Sequence, residues 1–138
     1  MNSASILAIF GMSAAATSAL NSMLPNQFDL VCRGTETWVR GGRVVSKPWS
    51  GHFVIDLNRK VICFAPGCAG VAAIPRIEPL TLTLAEGSER GEPGWSHRAT
   101  VDRTTGVYEE VGTAGLSKLD ISGHCTVSQF SGLPEPKF

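Results

Sequence analysis

Past residue 27 the sequence never sustains the apolar spacing i, i+3, i+4, i+7 of an amphipathic helix, and Gly or Pro fills 21 of the 111 positions that remain. Long helices are therefore excluded from the body of the chain. Alternation takes their place. Phe28, Leu30 and Cys32 alternate with Asp29, Val31 and Arg33, as in a half-buried strand. Trp38 to Trp49 reads as two short extended pieces around a Gly41-Gly42 turn. His52 to Leu57 sets Phe53, Ile55 and Leu57 on one face, Asn58-Arg59 turns the chain, and Lys60 to Phe64 returns.

Val71 to Ile77 is extended but interrupted by Pro75, which places it at a sheet edge or in a crossing segment. Leu80-Thr81-Leu82-Thr83-Leu84 is the cleanest alternation, and its three leucines are assigned to the core. Residues 86–94 form a polar, glycine-rich loop, exposed and mobile. The strongest hairpin joins Arg98–Asp102 to Val107–Val111 through Arg103-Thr104-Thr105-Gly106, with Gly106 free to take a positive φ. At this turn Asp102 is expected to accept backbone N–H groups and to pair with Arg103. Leu116 to Ile121 and Gly123 to Val127 supply the last strand residues, and the tail from Phe130, with Pro134 and Pro136, is expected along the surface. The fold class is all-β: a small antiparallel β-barrel or strongly curved sheet of about seven to nine strands, following a cleaved N-terminal signal helix.

The charge distribution separates that leader from the domain. Residues 1–27 contain no Asp, Glu, Lys or Arg, and Ile6 to Met12 is an apolar run followed by small residues from Ser13 to Ala19, the pattern of a secretory signal peptide. A boundary near residue 22 leaves a single β domain, 28–138, with a Pro-rich C-terminal tail. The expected location is periplasmic or secreted, with no stable membrane span after cleavage. Twelve basic and twelve acidic side chains balance overall, which argues against a nucleic-acid platform. The balance is uneven along the chain: residues 28–76 hold seven basic and three acidic groups, residues 77–138 five and nine.

Four cysteines in a small exported chain read as a disulfide framework. Spacing alone allows three pairings. The Pro66-Gly67 turn favours Cys63 with Cys68, leaving Cys32 with Cys125 to tie the first strand to the last. The competing reading is a zinc site from Cys63, Cys68, Cys125 and His124, but a second matched pair of ligands is missing. No metal or other cofactor is expected.

The local signatures of catalysis are absent. There is no Gly-x-Ser-x-Gly elbow, Ser117-Lys118 is not a Ser-x-x-Lys motif, and Gly41-Gly42 lies between strands rather than before a helix. Glu109 and Glu110 point to opposite faces of a strand and cannot share a proton. A distant assembly of His52, His97 or His124 with Asp56, Asp102 or Asp120 is the remaining catalytic route, and a non-enzymatic role is expected. Trp38, Trp49 and Trp95 fall at strand ends or beside loops. They either plug the barrel and complete its core or line its mouth as a weak ligand-binding set for a small apolar molecule.

The segments Phe28 to Thr35, Val101 to Tyr108, Gly123-His124-Cys125 and Lys137-Phe138 resemble a group of short exported hypothetical proteins of alphaproteobacteria, of the sphingomonad type. That likeness covers most of residues 28–138 and implies export without implying an activity. A looser likeness is to the small periplasmic inhibitors of lysozyme, antiparallel barrels with an early cysteine strand similar to Leu30-Val31-Cys32. Their inhibitory element is of the Ser-Gly-x-x-Tyr type. Ser50-Gly51-His52-Phe53 and Ser131-Gly132-Leu133-Pro134 begin the same way without delivering the tyrosine, and the single tyrosine is Tyr108. The function expected is a binding or envelope-associated one with an unknown protein or small apolar ligand as partner. An inhibitor of the lysozyme-directed kind and an apolar-ligand carrier are the alternatives.

Overall fold

A computed structural model describes residues 26–87 and 95–134. The leader, residues 88–94 of the expected loop, and residues 135–138 lie outside the described residues. Nine strands make up the domain: β1 (Gln27–Arg40), β2 (Arg43–Asp56), β3 (Val61–Phe64), β4 (Val71–Ala73), β5 (Arg76–Ile77), β6 (Thr81–Gly87), β7 (Trp95–Asp102), β8 (Val107–Ala114) and β9 (Ser117–Ser128). They form one antiparallel sheet in the order β4-β3-β2-β1-β9-β8-β7-β6-β5.

This order makes the sheet two wings joined at a central seam. The N-terminal half of the chain builds β4 to β1, the C-terminal half builds β9 to β5, and β1 meets β9 in the middle. The two edge strands are consecutive in sequence, separated only by Ile74 and Pro75. Three Cα steps reach at most about 11 Å. A flat nine-stranded sheet would put its edges about 38 Å apart. The sheet is therefore curled into a half-barrel whose edges converge at one end, where Ile74 enters the core and its N–H bonds to the Lys60 carbonyl at 2.9 Å.

Alternation along each strand delivers the apolar residues to the concave face. Phe28, Leu30 and Cys32 on β1 meet Phe53 and Ile55 on β2, with Leu82, Val101 and Ile121 contributed by the other wing. Both disulfides form in the pairing that the Pro66-Gly67 turn favours. Cys32 and Cys125 are directly opposed on β1 and β9 and bridge inside the core, tying the first long strand to the last. Cys63, opposite Val54 and so on the convex side, bridges to Cys68 beyond β3.

Several local expectations change. Trp38 and Trp49 do not belong to short pieces, because β1 and β2 each run unbroken for 14 residues. Leu80 is 65 % exposed and outside the core. It precedes β6 in a turn held by Glu78 N–H to the Thr81 carbonyl and Arg103 N–H to the Leu80 carbonyl. Glu86 and Gly87 extend β6 instead of opening a loop. Leu116 lies in the β8–β9 turn, not in a strand. At the β7–β8 turn Asp102 accepts the N–H groups of Thr104 and Thr105 as expected. Arg103 turns away from it and donates to the Glu78 carbonyl at 2.8 Å.

Asp29 alternates onto the polar face of its strand, yet it is buried. The segment after β9 crosses the convex face here. The Ser131 N–H donates to one Asp29 carboxylate oxygen at 3.1 Å, and His52 Nε2 lies 2.7 Å from the other. Burial pushes the Asp29 carboxyl up, but the Ser131 hydrogen bonds and His52 outweigh it and hold it below the usual aspartate value.

Candidate functional site

The converging edges leave an opening above their join. β3 stops at Phe64 while β6 and β7 run on to Gly87 and Trp95, so the two wings part into a cleft of about 290 Å³ bounded by Trp49, Phe53, Phe64, Leu84, His97 and Glu110. Tyr108, opposite Gly123 at the β1–β9 seam, forms the floor of this seam cleft.

The floor depends on two glycines. Gly34 on β1 opposes Trp49 on one side and Gly123 on the other, and Gly123 opposes Tyr108. A side chain on Gly34 would run into the backbone at Ser122 and Gly123, so β1 and β9 approach too closely there for anything larger. With no side chain between them, the Trp49 and Tyr108 rings meet at 4.6 Å, nearly parallel at 14°. Phe53 continues the row 5.8 Å from Tyr108, and Phe64 meets Phe53 edge-on at 5.4 Å. Stacked and edge-to-face pairs at these spacings are attractive beyond the area they bury.

A polar group is set into this aromatic wall. Glu110 is two residues beyond Tyr108 on β8 and hence on the same face. Tyr108 donates its hydroxyl to Glu110 Oε2 at 2.5 Å, and His97 Nε2 lies 2.5 Å from Oε1. Trp95 stacks on the His97 ring at 6.1 Å. Burial and then the Glu110 carboxylate raise Tyr108 far above the ordinary tyrosine value, so its hydroxyl stays protonated and remains a donor.

The three tryptophans all reach the concave side, in different places. Trp49 borders the cleft and packs against the core. Trp38 lies further toward the open end, with the Arg40 guanidinium 4.6 Å above its ring and its indole N–H donated to Glu36. Trp95 leans over Gly112 toward Leu119. One side chain borders the cleft and the other two flank the wider end, so they do not form a single tryptophan mouth.

The histidines take partners other than Asp56, Asp102 and Asp120, the aspartates left open for a catalytic assembly. His52 pairs with Asp29 on the convex face, His97 with Glu110 in the cleft, and His124 Nε2 lies 2.7 Å from the Thr105 carbonyl. From the sequence, His97 stands only as one of three histidines open to a catalytic assembly, and Tyr108, Glu110, Phe53 and Phe64 are not marked as site residues. Strand alternation carried the signal: Tyr108 with Glu110, and Trp95 with His97, are i, i+2 pairs. Among the described residues no group of three or more His, Cys, Asp or Glu side chains could hold a metal ion. The cysteines of the zinc alternative are all in disulfides.

A second cavity of about 240 Å³ opens at the other end of the concave face, lined by Phe28, Leu57, Leu82, Val127 and the β7–β8 turn. Besides its apolar residues it takes in Asp102, Arg103, Thr104 and Thr105 of that turn, and Phe28 is its single aromatic ring, against the aromatic row of the seam cleft. The Ser-Gly elements lie within β2 and in the segment crossing the convex face, not at loop tips. Comparison with known proteins returns no family model, no curated relative and no solved structure that matches the chain. Among the described residues no helix is long and apolar enough to cross a membrane.

Proposed function

We propose that this is an exported, non-enzymatic binding protein whose seam cleft takes a small ligand with an apolar face. The observation that carries the reading is the cleft's composition: aromatic rings on its floor and walls, with one hydrogen-bonded carboxylate among them, open to solvent. Ligand sites characteristically combine an apolar lining with a few fixed polar groups. Two disulfides suit an oxidising compartment, in keeping with periplasmic or secreted export of the domain behind the apolar leader. Tyr108 is locked as a donor and Glu110 accepts from two side chains, which suits holding a ligand better than moving protons. The Ser-Gly elements offer no protruding loop on which an inhibitor reading could rest.

The test uses the neutral fluorophore N-phenyl-1-naphthylamine. The expected result is a saturable enhancement, abolished by Ala85→Phe, which fills the cleft from β6. Absence of saturable enhancement, or enhancement that Ala85→Phe leaves unchanged, overturns the proposal.

A further inference from the structure

The seam cleft carries a second message in how its carboxylate is held. Glu110 has a side chain only 15 % exposed. Both of its oxygens are already engaged, one by Tyr108 and one by His97. Among the described residues no lysine or arginine reaches it, while the other concave-face carboxylate, Glu36, has Lys47 at 3.7 Å. A ligand that must donate hydrogen bonds to Glu110 would have to displace one of the two existing partners. A cation without N–H groups has no such requirement. It needs only aromatic surface and the field of a nearby carboxylate that is itself largely shielded from water, as Glu110 is.

The accessible aromatic surface is there. Phe64 is 57 % exposed and Trp49 is half-buried on the cleft wall, above a floor of buried Tyr108 and Phe53. The same concave face already shows this chemistry once, with the Arg40 guanidinium over the Trp38 ring beside Glu36. At Trp49 and Glu110 the aromatic ring and the carboxylate recur without an arginine above them.

We propose that the cleft binds an organic cation of the methylated-ammonium class, its methyl groups packed on Trp49 and Phe64 and its charge balanced by Glu110. This rests on the reading of the cleft as a ligand site and adds the ligand's charge.

Titration of the folded, oxidised protein with choline and with its neutral isostere 3,3-dimethylbutan-1-ol, followed by calorimetry and tryptophan fluorescence, separates the two ideas. The expected result is at least about tenfold tighter binding of choline, corresponding to about 1.4 kcal/mol, with the preference lost in Glu110→Gln and all binding weakened in Trp49→Leu. If Glu110→Gln fails to fold, the preference of the native protein for the cation decides the question. Equal or tighter binding of the alcohol overturns the cation proposal and leaves the cleft reading standing, as does failure of both to bind while N-phenyl-1-naphthylamine still does. If none of the three binds, both proposals fall.

Discussion

Trp49 and Tyr108 stack at 4.6 Å although β2 and β8 are separated by two intervening strands. Three strand spacings amount to about 14 Å in a flat sheet. The contact exists because the sheet curls and because the two residues between them in register are Gly34 and Gly123. Central curvature and the construction of the cleft are thus one property of the fold.

Gly123→Val is expected to destabilise the domain by about 3 kcal/mol, the upper end of the usual cost of forcing atoms into a close-packed site. A Cβ at this position would meet the Arg33 carbonyl. Urea unfolding measures the loss, and the near-ultraviolet circular dichroism of the Trp49–Tyr108 pair should diminish with it. A variant as stable as the native protein would show that β1 and β9 can separate at this point.

The two disulfides should contribute unequally. In the chain-entropy model, closing the 93-residue separation of Cys32 and Cys125 is worth about 4–5 kcal/mol, against about 2 kcal/mol for the five-residue step from Cys63 to Cys68. Cys63→Ala/Cys68→Ala should fold with a modestly lowered urea midpoint. Cys32→Ala/Cys125→Ala, which also loses buried sulfur from the core, should be far less stable. Reversal of this order would sink the argument.

Tyr108 is the single tyrosine, so its ionisation can be followed without interference. Its value is raised in the fold by burial and by Glu110. A raised tyrosine favours the protonated form, so its contribution to stability is complete below the unfolded value near pH 10 and declines as pH rises past it. Absorbance at 295 nm should stay flat through pH 10 and rise only together with loss of the folded circular dichroism signal. An ordinary titration near pH 10 in folded protein would contradict the buried Tyr108–Glu110 bond.

On the convex face, Asp29 carries a lowered value, and Asp56 does too, where burial is outweighed by bonds from Gln27, Arg59 and Asn58. A lowered carboxylate contributes stability that is present above its unfolded value, near pH 4, and is lost as pH falls through the folded one. Asp29→Asn should cost roughly 2 kcal/mol near neutral pH, the scale of charge-assisted hydrogen bonds, and should flatten the acid limb of the stability curve. Urea midpoints between pH 3 and 7 provide the measurement. Parallel curves for the native protein and the variant would mean that the Ser131 and His52 contacts to Asp29 contribute nothing.

The sequence by itself determined what depends on neighbours along the chain. A strand's two faces follow from alternation, so Phe28, Leu30, Phe53 and Ile55 could be assigned to a core and Glu109 separated from Glu110 before any strand was paired. Turns at Gly41-Gly42 and Thr105-Gly106 follow from local backbone preference. The Pro66-Gly67 turn pointed to one disulfide, and with four cysteines the other followed.

Only the tertiary structure decided which faces meet. The hairpin legible in the sequence already sets His97 near Glu110, but Trp49 lies fifty-nine residues from Tyr108, and nothing local says that strand order and curl bring those two rings into contact. Asp29 has the alternation of a solvent-facing residue and is buried because a segment a hundred residues later crosses it. Leu80 has the alternation of a core residue and is exposed because the strand begins one position after it. Pairing order, edge convergence and coverage are long-range outcomes of how the sheet curls on itself, and the cleft is made of those outcomes.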